Sequence, residues 1–216
     1  MTYSELKTNI ANYLNRSDLT SEIDIFIDNT EAEMNRRLRV ADQVKRATAT
    51  ADAQYLSLPS DWLEAINVEI TSNDFRPLMQ MSIESLDVYR KANNNVTGQP
   101  IYYALVDNTM ELAPTPDASY TLQLTYFSKI TALSDSNTSN FVSTSYPDVY
   151  LYGSLKHASV FLMEDERVPL FNAQFEKALE ELRLQQERAE FAKGSLIPRR
   201  RSYGKVRKNI YHWNNN

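Results

Sequence analysis

Apolar and polar residues alternate most regularly between residues 120 and 126. Tyr120, Leu122, Leu124 and Tyr126 fall on one side, and Thr121, Gln123 and Thr125 on the other. A period of two belongs to a half-buried β-strand. Upstream, Ile101 to Val106 and Met110 to Ala113 are two further strand candidates, and Asp107-Asn108-Thr109 between them suits a short hairpin loop. Pro114, Pro116 and Asp117 form a turn that cannot continue a ladder. The pattern predicts a three-stranded antiparallel meander, with helical patterns before and after it.

In the N-terminal part, Thr2 and Glu5 have the spacing of a capping box, and Tyr3, Leu6, Ile10 and Tyr13 recur at three and four to make one apolar helix face. Thr20 is placed to cap a second helix, striped by Ile23, Phe26, Ile27, Thr30, Met34 and Leu38. The link between them is short enough to require an antiparallel hairpin. Arg36, Arg37 and Arg39 read as a solvated helix end that complements the macrodipole, rather than as a nucleic-acid patch. From Val44 the Thr- and Ala-rich chain loses the helical stripe and reads as extended. A turn at Leu58 to Leu63 leads to a strand from Ala65 to Ile70, and a hairpin near Thr71 to Asp74 returns through Arg76 to Met81. A short helix then holds Leu86 and Tyr89, and Asn93-Asn94-Asn95 forms a loop.

After Leu133 comes a polar loop. Ser145 and Asp148, spaced for a capping box around Pro147, open a third helix reaching about Glu164, in which Gly153 and Ser154 allow close approach. Pro169 suits the first turn of a fourth helix of about 26 residues, roughly 39 Å long. Its Val168, Phe171, Phe175, Ala178, Leu182, Gln185, Ala189 and Ala192 make a packing seam, and Gly194 ends it. The expected class is α+β. An antiparallel four-helix bundle comes from residues 1–42 and 144–194, a β-rich module occupies 43–143, and an extended arm spans 195–216.

The inventory of reactive groups narrows the function. No cysteine is present, which excludes disulfides, thiolate ligands and thiol catalysis. The only histidines, His157 and His212, lie in no metal-ligand spacing, and neither a phosphate-binding G-x-x-x-x-G-K nor a nucleophile elbow occurs. Glu164-Asp165-Glu166 and Glu180-Glu181 read as solvated helix flanks. No enzyme activity, cofactor or metal is expected. No apolar run approaches the roughly 18 residues of a membrane span, and MTYSELKTNI lacks a signal-peptide core. The expectation is synthesis in a cytosol, with no membrane partner.

Charge changes the picture at the C-terminus. Residues 196–216 carry six basic side chains (Arg199, Arg200, Arg201, Lys205, Arg207 and Lys208) and no acid, leaving 17 basic against 28 acidic residues before them, a net −11. The arm interleaves these cations with Tyr203, Ile210, Tyr211 and Trp213, residue types that anchor interfaces. It reads as a segment that orders on a protein partner. The competing reading is a nucleic-acid-binding protein that uses this basic tail. Tyr102, Tyr103, Tyr120, Tyr126 and Phe127 are more aromatics than one small sheet face can bury, so they are the expected contact with a neighbour or a tail protein.

Four local patterns, in this order, resemble the head-to-tail adaptor, or head-completion connector, proteins of short-tailed bacteriophages. They are Tyr55-Leu56-Ser57-Leu58-Pro59-Ser60-Asp61-Trp62-Leu63, then Gly98-Gln99-Pro100-Ile101-Tyr102-Tyr103, then the strand pair from Leu112-Ala113-Pro114 to Tyr126. The last is Tyr146-Pro147-Asp148 with Leu151-Tyr152-Gly153. The resemblance implies a ring of subunits, commonly twelve, seated beneath the portal after genome packaging. It further implies a C-terminal arm along the portal wall, tail or nozzle proteins below, and DNA passing through the lumen without sequence-specific binding. No catalytic residue is carried over, since these patterns are structural turns and strands.

Overall fold

A computed structural model describes residues 1–72, 76–164 and 166–193. Helices lie at both ends of this span and strands between them, an α+β fold. Helix α1 (Tyr3–Leu14) opens on the expected capping box: Glu5 N donates to Thr2 Oγ1 at 3.3 Å, and Thr2 N donates to Glu5 Oε2 at 2.8 Å. Tyr3, Leu6 and Ile10 are buried, but Tyr13 is 55% exposed and Leu14 takes its place. The i+4 step from Ile10, rather than i+3, returns to the core face here. Helix α2 (Thr20–Arg37) buries the whole predicted stripe, and Leu38 follows it into the core. Thr20 is its first residue rather than its cap; Leu19 stands at the cap position with no side-chain bond.

After a 3-10 turn (Ala41–Gln43) the chain enters two four-stranded sheets. The strands are β1 (Val44–Ala51), β2 (Tyr55–Ser57), β3 (Trp62–Ile70), β4 (Arg76–Pro77) and β5 (Met79–Gln80). Helix α3 (Ile83–Ala92) separates these from β6 (Tyr102–Val106), β7 (Thr109–Ala113) and β8 (Tyr120–Ser128). The first sheet runs β1-β8-β3-β4 and the second β2-β7-β6-β5.

This corrects the expected meander. β6 and β7 do form a hairpin, closed at Asp107-Asn108 with Asp107 at φ 52°, but β8 does not pair with it. The proline-rich segment after Ala113 carries the chain across to the other sheet, where β8 is paired on both sides, by β1 and β3. Alternation reports which face of a strand is buried; it is silent on which strand lies alongside. The expected return after Ile70 is likewise split: β4 pairs antiparallel with β3, whereas β5 pairs parallel with β6.

The inner faces of the sheets share a core of Val68, Ile70, Leu78, Tyr103, Met110, Leu112, Leu122, Leu124 and Tyr126. Helix α3 covers part of the second sheet, with Leu86 packed on Ala104 and Ala113. Arg90 anchors it: the guanidinium lies 3.2 Å from Glu111 and donates to Leu112 O, with both side chains nearly buried.

The polar loop after Leu133 contains a short helix, α4 (Phe141–Ser145), because Asn140 caps it and Val142 is buried beneath it. The expected Ser145–Asp148 capping box is therefore absent; Pro147 is the first residue of α5 (Pro147–Phe161). Helix α6 (Val168–Lys193) has 26 residues. Phe175, Ala178 and Leu182 of its predicted seam are buried, together with Leu179 and Gln186. Val168, Phe171 and Ala189 are only partly buried and Gln185 is exposed, while the side chain of Ala192 lies outside the described residues. A straight helix drifts out of a repeat of 3.5, so a seam rotates along its length.

Helix α5 contacts α1, α2 and α6. Gly153 makes the α2 contact possible: a Cβ there would stand 2.4 Å from Thr30 Cγ2 and 3.0 Å from Phe175 Cε2. A single core of α1, α2, α5 and α6 side chains also takes in Val40, Ile130 and Leu133 from the two strands of chain that lead into and out of the sheets. Those two crossings are bonded to each other. Gln43, almost fully buried, donates from Nε2 to Ser128 O at 3.2 Å, and Ser128 Oγ donates to Gln43 O at 3.1 Å.

Candidate interaction surfaces

The five β-module aromatics separate by environment. Tyr103 and Tyr126 are core residues, 5% and 4% exposed; the expectation that they stand at the surface is corrected. Each lies on the inner face of its sheet, where the alternation of the strand places it. The Tyr126 hydroxyl donates to Asp61 Oδ1 at 2.9 Å, and burial followed by the Asp61 carboxylate pushes its pKa up to about 12. Burial also raises Tyr103. Tyr102, Tyr120 and Phe127 remain half-exposed. Tyr102 stacks edge-on against Tyr89 with centroids 4.9 Å apart, and Tyr120 donates to Asp117 at 2.7 Å.

Other apolar side chains stand at the surface where sequence reasoning did not look. Val160, Phe161, Met163 and Leu170 line the turn between α5 and α6, all more than half exposed. Met79 on β5 and Ile83 and Val88 on α3 are exposed as well, at 63%, 39% and 66%. Single apolar residues at helix ends carry no periodic signal, so no pattern marked them.

Of the basic residues at the end of α2, Arg36 is exposed, whereas Arg37 and Arg39 are occupied. Arg37 forms a two-pronged pair with Glu176 on α6 and bonds Glu33 at 3.0 Å, while Arg39 Nε donates to Glu64 Oε2 at 2.9 Å. Arg37 and Arg39 border a cleft of about 380 Å3 with Glu180, Arg183 and Glu187. Cations locked in such pairs tie α2 to α6 and to β3, and have few donors left for a phosphate. The bonds from Arg37 hold Glu176 below the usual carboxylate range.

Buried titratable groups are few and structural in their contacts. Burial lowers His157, whose Nε2 lies 3.5 Å from Glu33 without another partner. Glu31 on α2 is 5% exposed and accepts from Leu133 N at 2.8 Å and from the Tyr150 hydroxyl at 2.9 Å. Burial raises Glu31, outweighing those bonds. Among the described residues no three His, Asp or Glu side chains converge on a metal position, and no helix is long and apolar enough to cross a membrane. The arm residues Arg199, Arg200, Arg201, Tyr203, Lys205, Arg207, Lys208, Ile210, Tyr211 and Trp213 lie outside the described residues.

What the described surface offers is therefore aromatic and aliphatic contact area around a structural core. No curated protein matches the chain. Residues 1–199 match the SU10 adaptor protein family, a span that takes in every described helix and strand and stops just inside the arm. The family is one of phage structural adaptors and not a class of enzyme, and it implies a place at the head–tail junction of the virion between portal and tail proteins. The chain belongs to the SU10 adaptor protein family, the head-to-tail adaptors of short-tailed bacteriophages.

Proposed function

We propose that this adaptor forms a ring beneath the portal, closes the head after DNA packaging and provides the attachment site for the tail. The observation that carries this reading is the family match along residues 1–199, through the helical and the β parts alike. The parts divide the work. Residues 1–42 and 144–194 form the antiparallel four-helix bundle that builds the ring, which the shared core of α1, α2, α5 and α6 supports. Residues 43–143 form the β module that meets a neighbour or a tail protein through its half-exposed aromatics, Tyr102, Tyr120 and Phe127. The arm, 195–216, docks on the portal: Arg199, Arg200 and Arg201 orient it against acidic groups, and Tyr203, Ile210, Tyr211 and Trp213 supply buried contact. A net −11 before the arm keeps a ring lumen from holding DNA.

Deletion of residues 196–216 tests the reading. The truncated protein keeps its circular dichroism and melting curve but no longer attaches stably to portal-bearing heads. Replacing Tyr211 and Trp213 by Ala weakens attachment more than reversing the three arginines, which mainly slows it. A truncated protein that still loads heads normally refutes the arm's role. Salt-dependent DNA binding that vanishes with the arm, without any loss of head loading, favours the nucleic-acid reading instead.

A further inference from the structure

The first sheet ends on two unequal edges. On one side β1 is outermost along all eight residues, in unbroken register with β8. On the other side β4 covers β3 only at Glu69 and Ile70, so β3 from Trp62 to Asn67 has no strand beyond it among the described residues. Such edges present unpaired N–H and C=O groups and accept another strand.

The edges are complementary in shape and charge. Along β1, Ala47 and Ala49 place only methyl groups over the sandwich interior. They border a slot of about 210 Å3 whose other walls include Leu56, Leu58, Met110 and Leu122. An aliphatic cavity of about 150 Å3 already accommodates benzene. Arg46 is exposed and has no ion-pair partner among the described residues. Along β3, Ile66 falls at a break in the register with β8 and is 48% exposed. The Glu64 side chain nearby is 61% exposed; its Oε2 accepts from Arg39 of the same chain at 2.9 Å, and its Oε1 has no partner among the described residues.

Register across β8 puts these features within two residues of one another along the strands. Val44 and Glu64 both lie opposite Phe127, and Arg46 and Asn67 both lie opposite Thr125. Ile66 therefore stands level with Lys45 and Arg46, at the Ala47 end of the slot. β1 and β3 are each antiparallel to β8 and so run in the same direction. A rotation about an axis along the strands brings the β3 edge of one copy beside the β1 edge of the next, Glu64 near Arg46 and Ile66 near the slot.

We propose that adjacent adaptors join head to tail through these two edges, with Ile66 of one copy entering the alanine-bordered slot of the next and Glu64 pairing with Arg46. The interface rests on the ring reading above and specifies its contact. It uses different surfaces on the two partners, the kind of contact that closes into a ring when repeated. The register breaks and the short open stretch of β3 limit the ladder to a few bonds. Two free copies therefore stay apart, and the contact accumulates only where a template holds the subunits side by side.

The chain lacks cysteine, so an engineered pair reports without background. The double variant Ile66→Cys, Ala47→Cys is loaded on portal-bearing heads, oxidised and run on a non-reducing gel. The expected result is a ladder of adaptor multiples that collapses on reduction and is missing from each single variant and from the free protein, since a disulfide needs Cα atoms within roughly 7 Å. Loaded heads whose adaptors remain monomeric, or a faster-migrating intrachain product, overturn the interface while the ring reading stands. Failure of the parent protein to assemble on heads removes both. A second pair covers variants that load poorly: with unchanged circular dichroism, Ile66→Glu should lower loading at least about tenfold because a carboxylate cannot enter an apolar slot, while Ile66→Val loads normally. If Ile66→Glu loads normally and loses only tail-protein incorporation, the edge belongs to the tail protein and the proposal is wrong.

Discussion

Gly153 offers the most direct test of how the helical core is held. A Cβ at this position would lie 2.4 Å from Thr30 Cγ2, 3.1 Å from Thr30 Oγ1 and 3.0 Å from Phe175 Cε2. Neither neighbour can step aside. Thr30 is fully buried with its hydroxyl donating to Phe26 O at 2.8 Å, and Phe175 is fully buried with the Lys156 ammonium 4.3 Å from its ring centroid. Two effects oppose each other in Gly153→Ala. Replacing glycine inside a helix gains about 1 kcal/mol of propensity. Overpacking a filled core costs about 1–3 kcal/mol, and a contact this short belongs at the upper end. The net loss is about 2 kcal/mol, which for a chain of this size lowers the melting temperature by about 4–8 °C. Thr30→Ser deletes the offending methyl and keeps the hydroxyl, so the double variant should recover about 1–2 kcal/mol relative to additivity. Thermal melts of the four proteins by circular dichroism measure this. Melting of Gly153→Ala at or above the parent temperature, or strict additivity in the double variant, would refute the packing argument.

Glu31→Gln probes the buried carboxylate. Its raised pKa means the folded state holds the proton more tightly, so this group adds stability below the ordinary glutamate range that is lost as pH rises through its folded pKa. The amide keeps the acceptor for Leu133 N and Tyr150, so Glu31→Gln should remove that pH dependence in denaturant titrations, and an unchanged profile contradicts it. His157 acts in the opposite sense: its lowered pKa costs stability as pH falls below about 6.5, and His157→Gln should flatten that decline in the same titrations. Arg90→Ala strands the nearly buried Glu111 and should cost about 3–5 kcal/mol, seen as a lowered urea midpoint, whereas a shift no larger than that of an exposed surface change would show the pair to be dispensable. Tyr120→Ser and Phe127→Ser should reduce tail-protein incorporation with head loading intact, while Tyr103→Ser should instead lower the melting temperature; equal loss of head and tail attachment would contradict the division between arm and β module.

Local sequence was sufficient for the elements whose signal lies within one turn or one strand. The Thr2–Glu5 box, the α2 stripe, and Pro147 and Pro169 in the first turns of α5 and α6 all depend on neighbours within a few residues. Gly153 and Ser154 were recognisable as a close approach, because small residues on a helix face admit another backbone. Composition alone carried the expectation of a basic aromatic arm, whose residues lie outside the described ones. Only the tertiary structure decided which strands pair. β8 alternates identically whether its neighbour is β7 or β1, and the choice of β1 and β3 rests on side chains more than 50 residues away. The same limit governed the surface. Tyr103 and Tyr126 carry the same side chain as Tyr102 and Tyr120, and which of them remains half-exposed followed from the second sheet closing over the first. An element's face is written in its own period, but its partner is set by whichever distant surface completes the burial, and that is a property of the whole chain.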